Sequence, residues 1–303
     1  MTILVTGASG FLGARVVAAL AGREDVVGLR RPGSQRTGAP AAGTRAFIDC
    51  DLGDTPRLAR VMRELRPAAV IHLAWFAEHG VCWHAPENLD CVAAGLALVR
   101  LAAEHGCRRF VGAGTCAEYD WSYDRLTERV TPCAPRTLYG AAKLGLGLVA
   151  ERFAETAGLS LAWARYGFLF GPGEAPRRLV SGAIRALAAG TDFACSAGTQ
   201  IRDFVHVDDA ASATAAILRS EVTGPVNVGA GEAMPVRRIV EQIAELVGGA
   251  AVPRFGALPA RSDDPPALVL DLARLTDEVG WRPRRSLREA LAETVERVRG
   301  EAS

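Results

Sequence analysis

Thr2-Ile3-Leu4-Val5-Thr6-Gly7-Ala8-Ser9-Gly10-Phe11-Leu12-Gly13 places a short β-prone run before three glycines spaced by three, and an Ala/Val-rich stretch follows to Leu20. The order reads as strand, glycine turn and helix N-terminus. Glycines let the backbone turn sharply and approach a pyrophosphate, whose charge is held by free N–H groups and the positive end of the helix dipole. The strand before and the helix after, more than the spacing itself, mark Gly7, Ser9, Gly10 and Gly13 as a dinucleotide-binding turn.

Outward from this turn the pattern repeats. Asp25 to Leu29 reads as a second strand ending in Arg30-Arg31. An acidic residue roughly 20 positions past the glycines would hold the ribose 2′-hydroxyl of NAD, whereas arginine suits the 2′-phosphate of NADP. Arg30 and Arg31 occupy that place and no Asp or Glu follows until Asp49, so NADP(H) is the expected cofactor. Ala46 to Leu52 and Ala69 to Ala74 are further strands, separated by an amphipathic helix from Pro56 to Leu65. Glu87 to Glu104 is a long apolar helix before the strand that opens at Arg109. Strands alternating with helices imply an α/β fold, a Rossmann-type doubly wound parallel sheet covered on both faces. Ligands of such sheets lie at the carboxyl ends of the strands. His72, inside an apolar strand, reads as a core histidine.

The chain contains 34 arginines and one lysine. That lysine, Lys143, stands four residues after Tyr139 in Leu138-Tyr139-Gly140-Ala141-Ala142-Lys143, the opening of a helix. Residues i and i+4 share a helix face, so phenol and ammonium meet at one point. A compact ammonium binds ribose hydroxyls and lowers a neighbouring phenol's pKa, which makes Tyr139 a proton donor. Thr115 ends the strand opened at Arg109 and supplies a hydroxyl that donates to a substrate carbonyl and accepts from Tyr139.

Composition narrows the partners. With 35 basic and 34 acidic residues in 303, there is no broad electrostatic footprint for nucleic acid or an anionic membrane. No apolar run is long enough to span a bilayer and no charged leader precedes the first strand, so a cytoplasmic protein is expected. Seven scattered cysteines suit reduced thiols. His79, Cys82 and His84 lack a fourth spaced ligand, so no metal site is assigned.

The ordered series TGASGFLG (6–13), DL (51–52), HLA (72–74), GTCAEY (114–119), YGAAK (139–143), RYGFLFGP (165–172), RDFVHVDD (202–209) and the helix after Gly280-Trp281 resembles the extended short-chain dehydrogenase/reductase family. Within it the similarity points to nucleotide-sugar epimerases, dehydratases and ketoreductases. The resemblance implies that Thr115, Tyr139 and Lys143 form the catalytic triad and that Phe11 and Leu12 cap the pyrophosphate turn. It implies that Asp51 and Leu52 contact adenine and that Leu73 and Ala74 line the cofactor. Arg202 and Arg261 match arginines that hold the diphosphate of a nucleotide sugar. Cys116 and Ala117 stand where 4,6-dehydratases carry an Asp-Glu pair, so that elimination lacks its acid and base. Phe168 replaces an Asn that touches the sugar nucleotide in many relatives.

The expected organisation is an NADP-binding domain over 1–168, with 203–222 returning to it, and a smaller α/β substrate-binding domain from 169–202 and 223–303. Pro253 to Pro266 reads as a loop. The expected activity is NADPH-dependent reduction of the C4 keto group of an NDP-4-keto-6-deoxyhexose. The alternatives are a nucleotide-sugar 4-epimerase with the same triad and, from another class, a non-catalytic NADP-sensing protein. Relatives dimerise through two helices per subunit, here Glu87–Glu104 and Tyr139–Thr156, so a homodimer is expected.

Overall fold

Alternation of short apolar runs with longer amphipathic ones produces alternating strands and helices. The computed structural model describes residues 1–33, 44–260 and 264–300. The first half comprises β1 (Thr2–Thr6), α1 (Phe11–Leu20), β2 (Asp25–Arg30), β3 (Thr44–Asp49), α2 (Thr55–Leu65), β4 (Ala69–His72), α3 (Glu87–Glu104), β5 (Arg109–Thr115), β6 (Arg125–Leu126), α4 (Leu138–Ala157) and β7 (Ser160–Tyr166). Next come β8 (Phe168–Phe170), α5 (Leu179–Ala188), β9 (Phe193–Cys195), β10 (Ile201–His206), α6 (Val207–Arg219) and β11 (Gly224–Val228). The chain ends with β12 (Ala233–Pro235), α7 (Val236–Val247), β13 (Pro253–Phe255), β14 (Ala267–Leu270) and α8 (Leu287–Gly300).

Seven parallel strands form the main sheet in the order β11-β7-β5-β4-β1-β2-β3. Ile3, Leu4 and Val5 are fully buried, as expected of a parallel strand covered on both faces. On one face Val16, Val17 and Leu20 of α1 and Ala210, Ala213 and Ile217 of α6 join the core. On the other lie Leu58 and Met62 of α2, Leu98 and Ala102 of α3, and Ala150 and Ala154 of α4. Strand order reverses between β1 and β4, and the crevice at their carboxyl ends is where the sequence motifs collect. The fold is the doubly wound Rossmann type.

A second sheet runs β12-β10-β14-β6, with β8 also paired to β10. Helices α5, α7 and α8 cover it through Ile184, Ile239, Ile243 and Leu291. Two strands differ from the boundaries expected from sequence. Residues 203–206 lie in β10 of the second sheet, and only α6 packs back on the first, against α1. Conversely Gly224–Val228, assigned to the second part, is the edge strand that pairs with β7. Hydrophobic pattern identifies a strand but not the sheet it joins, hence both shifts. Pro253–Phe255, read as loop, pairs in parallel with Phe193–Cys195. Among the described residues no helix is long and apolar enough to cross a membrane.

Candidate active site

The glycine turn is built by close approach. Gly7 takes φ +68°, and a Cβ on it would lie 2.8 Å from the Ala74 nitrogen; a Cβ on Gly13 would lie 2.0 Å from the Gly7 oxygen. Only glycine fits at both positions. Helix α1 follows with Gly10 at its cap, no capping side chain and no acidic residue in its first turn. Its leading N–H groups and dipole are therefore open to an anion, which fits a pyrophosphate. Phe11 and Leu12 begin this helix, and Ser9 precedes its cap.

Thr6 at the end of β1 ties the turn to β4. Its hydroxyl accepts from the Ala74 N–H at 3.2 Å and lies 2.8 Å from His72 Nδ1. His72 is buried, and burial drives its pKa down to about 3, so the ring is neutral. Leu73 and Ala74 thus pass directly over Gly7.

The three catalytic candidates converge beside this segment. Thr137, in extended conformation, caps α4 by accepting from the Gly140 N–H at 3.1 Å. That cap sets Tyr139 and Lys143 one turn apart on the buried side of the helix. The Thr115 side chain acts on the Tyr139 phenol. Burial raises the Tyr139 pKa above its ordinary value, the reverse of the lowering by Lys143 expected from sequence, and the Thr115 side chain opposes the shift. Lys143 is buried, its Nζ donates to the Ala113 carbonyl at 2.7 Å, and burial lowers its pKa to about 7. Glu118 and Cys91 pull the other way. The chain of contacts is continuous: Gly7 abuts Ala74, and the next residue, Trp75, lies with its ring centroid 3.7 Å from Lys143 Nζ.

Thr115 is held by a carboxylate that the sequence reading did not single out. Glu118 has no exposed surface; it accepts from the Thr115 N–H at 2.9 Å, Trp163 Nε1 at 3.0 Å and Arg165 Nε at 2.7 Å. The Thr115 hydroxyl in turn accepts from the Ala117 N–H at 3.2 Å, which completes a capping box on the 3₁₀ turn Cys116–Glu118. Thr-x-x-Glu was the available signal. Aromatic rings frame Tyr139: Trp75 and Trp83 meet it edge-on at centroid distances of 6.4 and 5.6 Å, and Trp121 meets Trp83 at 6.4 Å. No local pattern marks these tryptophans. Cys116 is buried, and burial pushes its thiol up to about 12, so it packs as a thiol.

The remaining candidates are placed as follows. Arg30 Nε donates to Asp49 Oδ1 at 2.5 Å, and Arg31 lies 3.8 Å from Asp51. Asp51 also accepts from the Gly53 N–H at 2.9 Å, and Leu52 packs on the α2 side of the core. Arg202 is buried under the Phe168 ring at 5.6 Å. Its guanidinium is paired with Asp264 and donates to the Ile201 and Pro265 carbonyls at 2.7 and 2.8 Å. Arg261 lies outside the described residues.

A doubly wound sheet with a glycine turn at its switch point and a Thr-Tyr-Lys convergence beside it defines a dinucleotide-dependent enzyme. Residues 3–229 match the NAD dependent epimerase/dehydratase family, and the chain belongs to it. It is 30% identical to a UDP-glucose 4-epimerase of Azospirillum brasilense over 93% of this chain and 87% of that protein. It is also 30% identical to a dTDP-6-deoxy-L-talose 4-dehydrogenase (NAD(P)(+)) of Kitasatospora kifunensis over 96% of this chain and 93% of that one. Among solved structures, the UDP-glucose 4-epimerase of Thermus thermophilus in complex with NAD superposes with a TM-score of 0.85 at 29% identity, covering 99% of each chain.

Proposed function

We propose that the chain is a nucleotide-sugar 4-epimerase. The observation that carries this reading is the placement of Tyr139 and Lys143 one turn apart on α4 against the end of β5, where Lys143 Nζ donates to the Ala113 carbonyl at 2.7 Å and the Thr115 side chain acts on the Tyr139 phenol. Tyr139 removes the proton from the sugar C4 hydroxyl and returns a proton to the same oxygen, Thr115 donates to that oxygen as charge develops on it, and Lys143 favours the phenolate. A nicotinamide dinucleotide, held by Gly7, Ser9, Gly10, Phe11, Leu12, Gly13, Asp51, Leu52, Leu73 and Ala74, would supply the hydride acceptor and donor. Arg202 and Arg261 are proposed to face the diphosphate, Arg202 giving up its Asp264 pair to do so.

The expectation from sequence put NADPH-dependent ketoreduction first. The relatives named for 4-epimerisation, and an arginine whose charge is already matched, favour the reverse order: Asp49 sits on Arg30 where a 2′-phosphate would have to bind. Ketoreduction with NADP(H) stays as the second reading because Arg30 and Arg31 still stand where an acidic ribose contact would be, and one relative is named as a 4-dehydrogenase using NAD(P)(+). A homodimer is proposed through α3 and α4, where Leu89, Leu148 and Val149 are exposed.

Denaturing the purified protein and identifying the released nucleotide by mass spectrometry tests the cofactor. Incubation with UDP-glucose or a dTDP-linked sugar should yield the C4 epimer with no net change in NADPH absorbance; stoichiometric loss of absorbance with a 4-keto sugar would move ketoreduction to the front. Tyr139→Phe should lower turnover by roughly 10²–10⁴-fold. Turnover surviving that change would refute both readings.

A further inference from the structure

Lys143 does not stand alone against its helix: the face of the Trp75 indole lies against its ammonium, with 3.7 Å from Nζ to the ring centroid. The Trp75 indole N–H donates to Asn88 Oδ1 at 2.8 Å. Asn88, on α3, is fully buried, and its amide nitrogen donates to the Cys82 and Ala85 carbonyls at 2.7 and 2.8 Å. Those carbonyls bracket Trp83, whose ring meets Tyr139 edge-on at 5.6 Å and whose own carbonyl accepts the Tyr139 N–H at 3.1 Å. One buried amide therefore fixes an aromatic neighbour of each member of the acid/base pair. Both of its N–H donors and an acceptor site are in use, so no smaller side chain replaces it.

The electrostatic sense of the Trp75 contact is definite. A ring quadrupole attracts a cation and does little for a neutral amine, so the contact opposes the burial that favours the uncharged lysine. The other groups around Nζ come from five elements. Ala113 of β5 accepts its hydrogen bond, Glu118 and Cys91 favour the charge, His72 of β4 is neutral, and Tyr139 lies one turn earlier on α4. Glu118 is already bonded to Arg165, so the contacts made to the ammonium itself are the Ala113 carbonyl and the face of the Trp75 ring.

We infer that Trp75, braced by Asn88, is a positioning residue that keeps Lys143 as an ammonium beside Tyr139. The inference deepens the triad reading and rests on it for its catalytic meaning, but its physical content is measurable without turnover. Lys143 is the only lysine in the chain, so protein labelled with [ε-¹³C]lysine shows one lysine resonance, and its shift against pH titrates this group alone.

The wild-type midpoint is expected near 7. Trp75→Phe keeps a ring and should hold the midpoint within a few tenths of a unit, whereas Trp75→Leu should lower it by roughly 0.5–1.5 units. Trp75→Met fills similar space without a ring and reads the same point should the Leu variant not fold. Asn88→Ser leaves the ring but frees it, and should move the midpoint the same way by less. An unmoved midpoint in Trp75→Leu or Trp75→Met, or an equal movement in Trp75→Phe, overturns the inference. An unmoved midpoint in Asn88→Ser overturns the bracing. In the active enzyme the basic limb of the pH–rate profile should shift downward with the resonance. A protein that titrates as expected yet turns over no nucleotide sugar would refute the proposed function and leave the Trp75–Lys143 contact standing.

Discussion

Glu118→Gln separates the charge of the buried carboxylate from its shape. The side chain of Glu118 is wholly buried and that of Arg165 is 7% exposed, and the two meet at 2.7 Å. A glutamine carbonyl still accepts from the Thr115 N–H and Trp163, but its amide then sets N–H groups against the Arg165 Nε–H. The guanidinium keeps a thiol contact, Cys133 Sγ at 3.3 Å, and the Tyr119 ring at 4.5 Å, neither of which neutralises it. An unpaired buried charge of this kind costs about 3–5 kcal/mol. Against a total stability of roughly 5–15 kcal/mol this is a large fraction. Replacing Arg165 as well removes the uncompensated charge while the glutamine carbonyl keeps the Thr115 and Trp163 bonds, so Glu118→Gln with Arg165→Met should lose about 1–2 kcal/mol less than Glu118→Gln alone. Guanidinium unfolding of the wild type, each single variant and the double variant, followed by far-UV circular dichroism, closes the cycle. If Glu118→Gln costs under about 1 kcal/mol, or the singles add to the double, the pair is not the anchor of the Thr115 strand end.

Other outcomes follow from the same structure. Gly13→Ala puts a methyl 2.0 Å from the Gly7 oxygen, and the forced backbone shift should weaken dinucleotide binding by about 5- to 150-fold, from an overpacking penalty of ~1–3 kcal/mol; undiminished co-purified nucleotide would contradict it. His72 has a folded pKa of about 3 against 6.5. The unfolded chain therefore binds the extra proton between these values, and stability falls as pH drops. At pH 5 this group alone should remove about 2 kcal/mol, a loss absent from the pH dependence of His72→Asn. Equal slopes in the two proteins would show that the ring is not held neutral. Arg30→Ala with Arg31→Ala should weaken NADPH more than NADH if the ketoreductase reading holds, and weaken both alike if Asp49 keeps Arg30 from a 2′-phosphate; isothermal titration with each cofactor decides.

What could be read beforehand was local. The glycine turn and the Tyr139–Lys143 pair are each set within one element by dihedral freedom or helical period, so spacing alone specified them. Thr115 was legible because it ends a strand, and Glu118 could have been, since Thr-x-x-Glu satisfies both ends of a capping box. What was not legible was long-range. Trp75 and Lys143 lie far apart along the chain and meet only because β4 and β5 are neighbours, with α4 packed on β5. That residues 203–206 pair in the second sheet and 224–228 in the first was not legible for the same reason, since an apolar run carries no label for its pairing partner.

The cofactor reading shows why this matters for function. Along the chain Arg30 has no acidic residue within reach before Asp49, so a free positive charge at the ribose end was the natural inference. Parallel pairing of β2 with β3 places Asp49 in register beside Arg30, and the two side chains close at 2.5 Å. The same arginine that in sequence argues for a phosphate is, in the sheet, already bonded to a carboxylate that a phosphate would have to displace. Asp49 is exposed and Arg30 half-buried, so the pair is weak enough to be broken by a dianion but favours a cofactor that does not ask for it. Choice between the two cofactors thus passes from the residue type at one position to the competition between a neighbouring strand and the ligand for the same guanidinium.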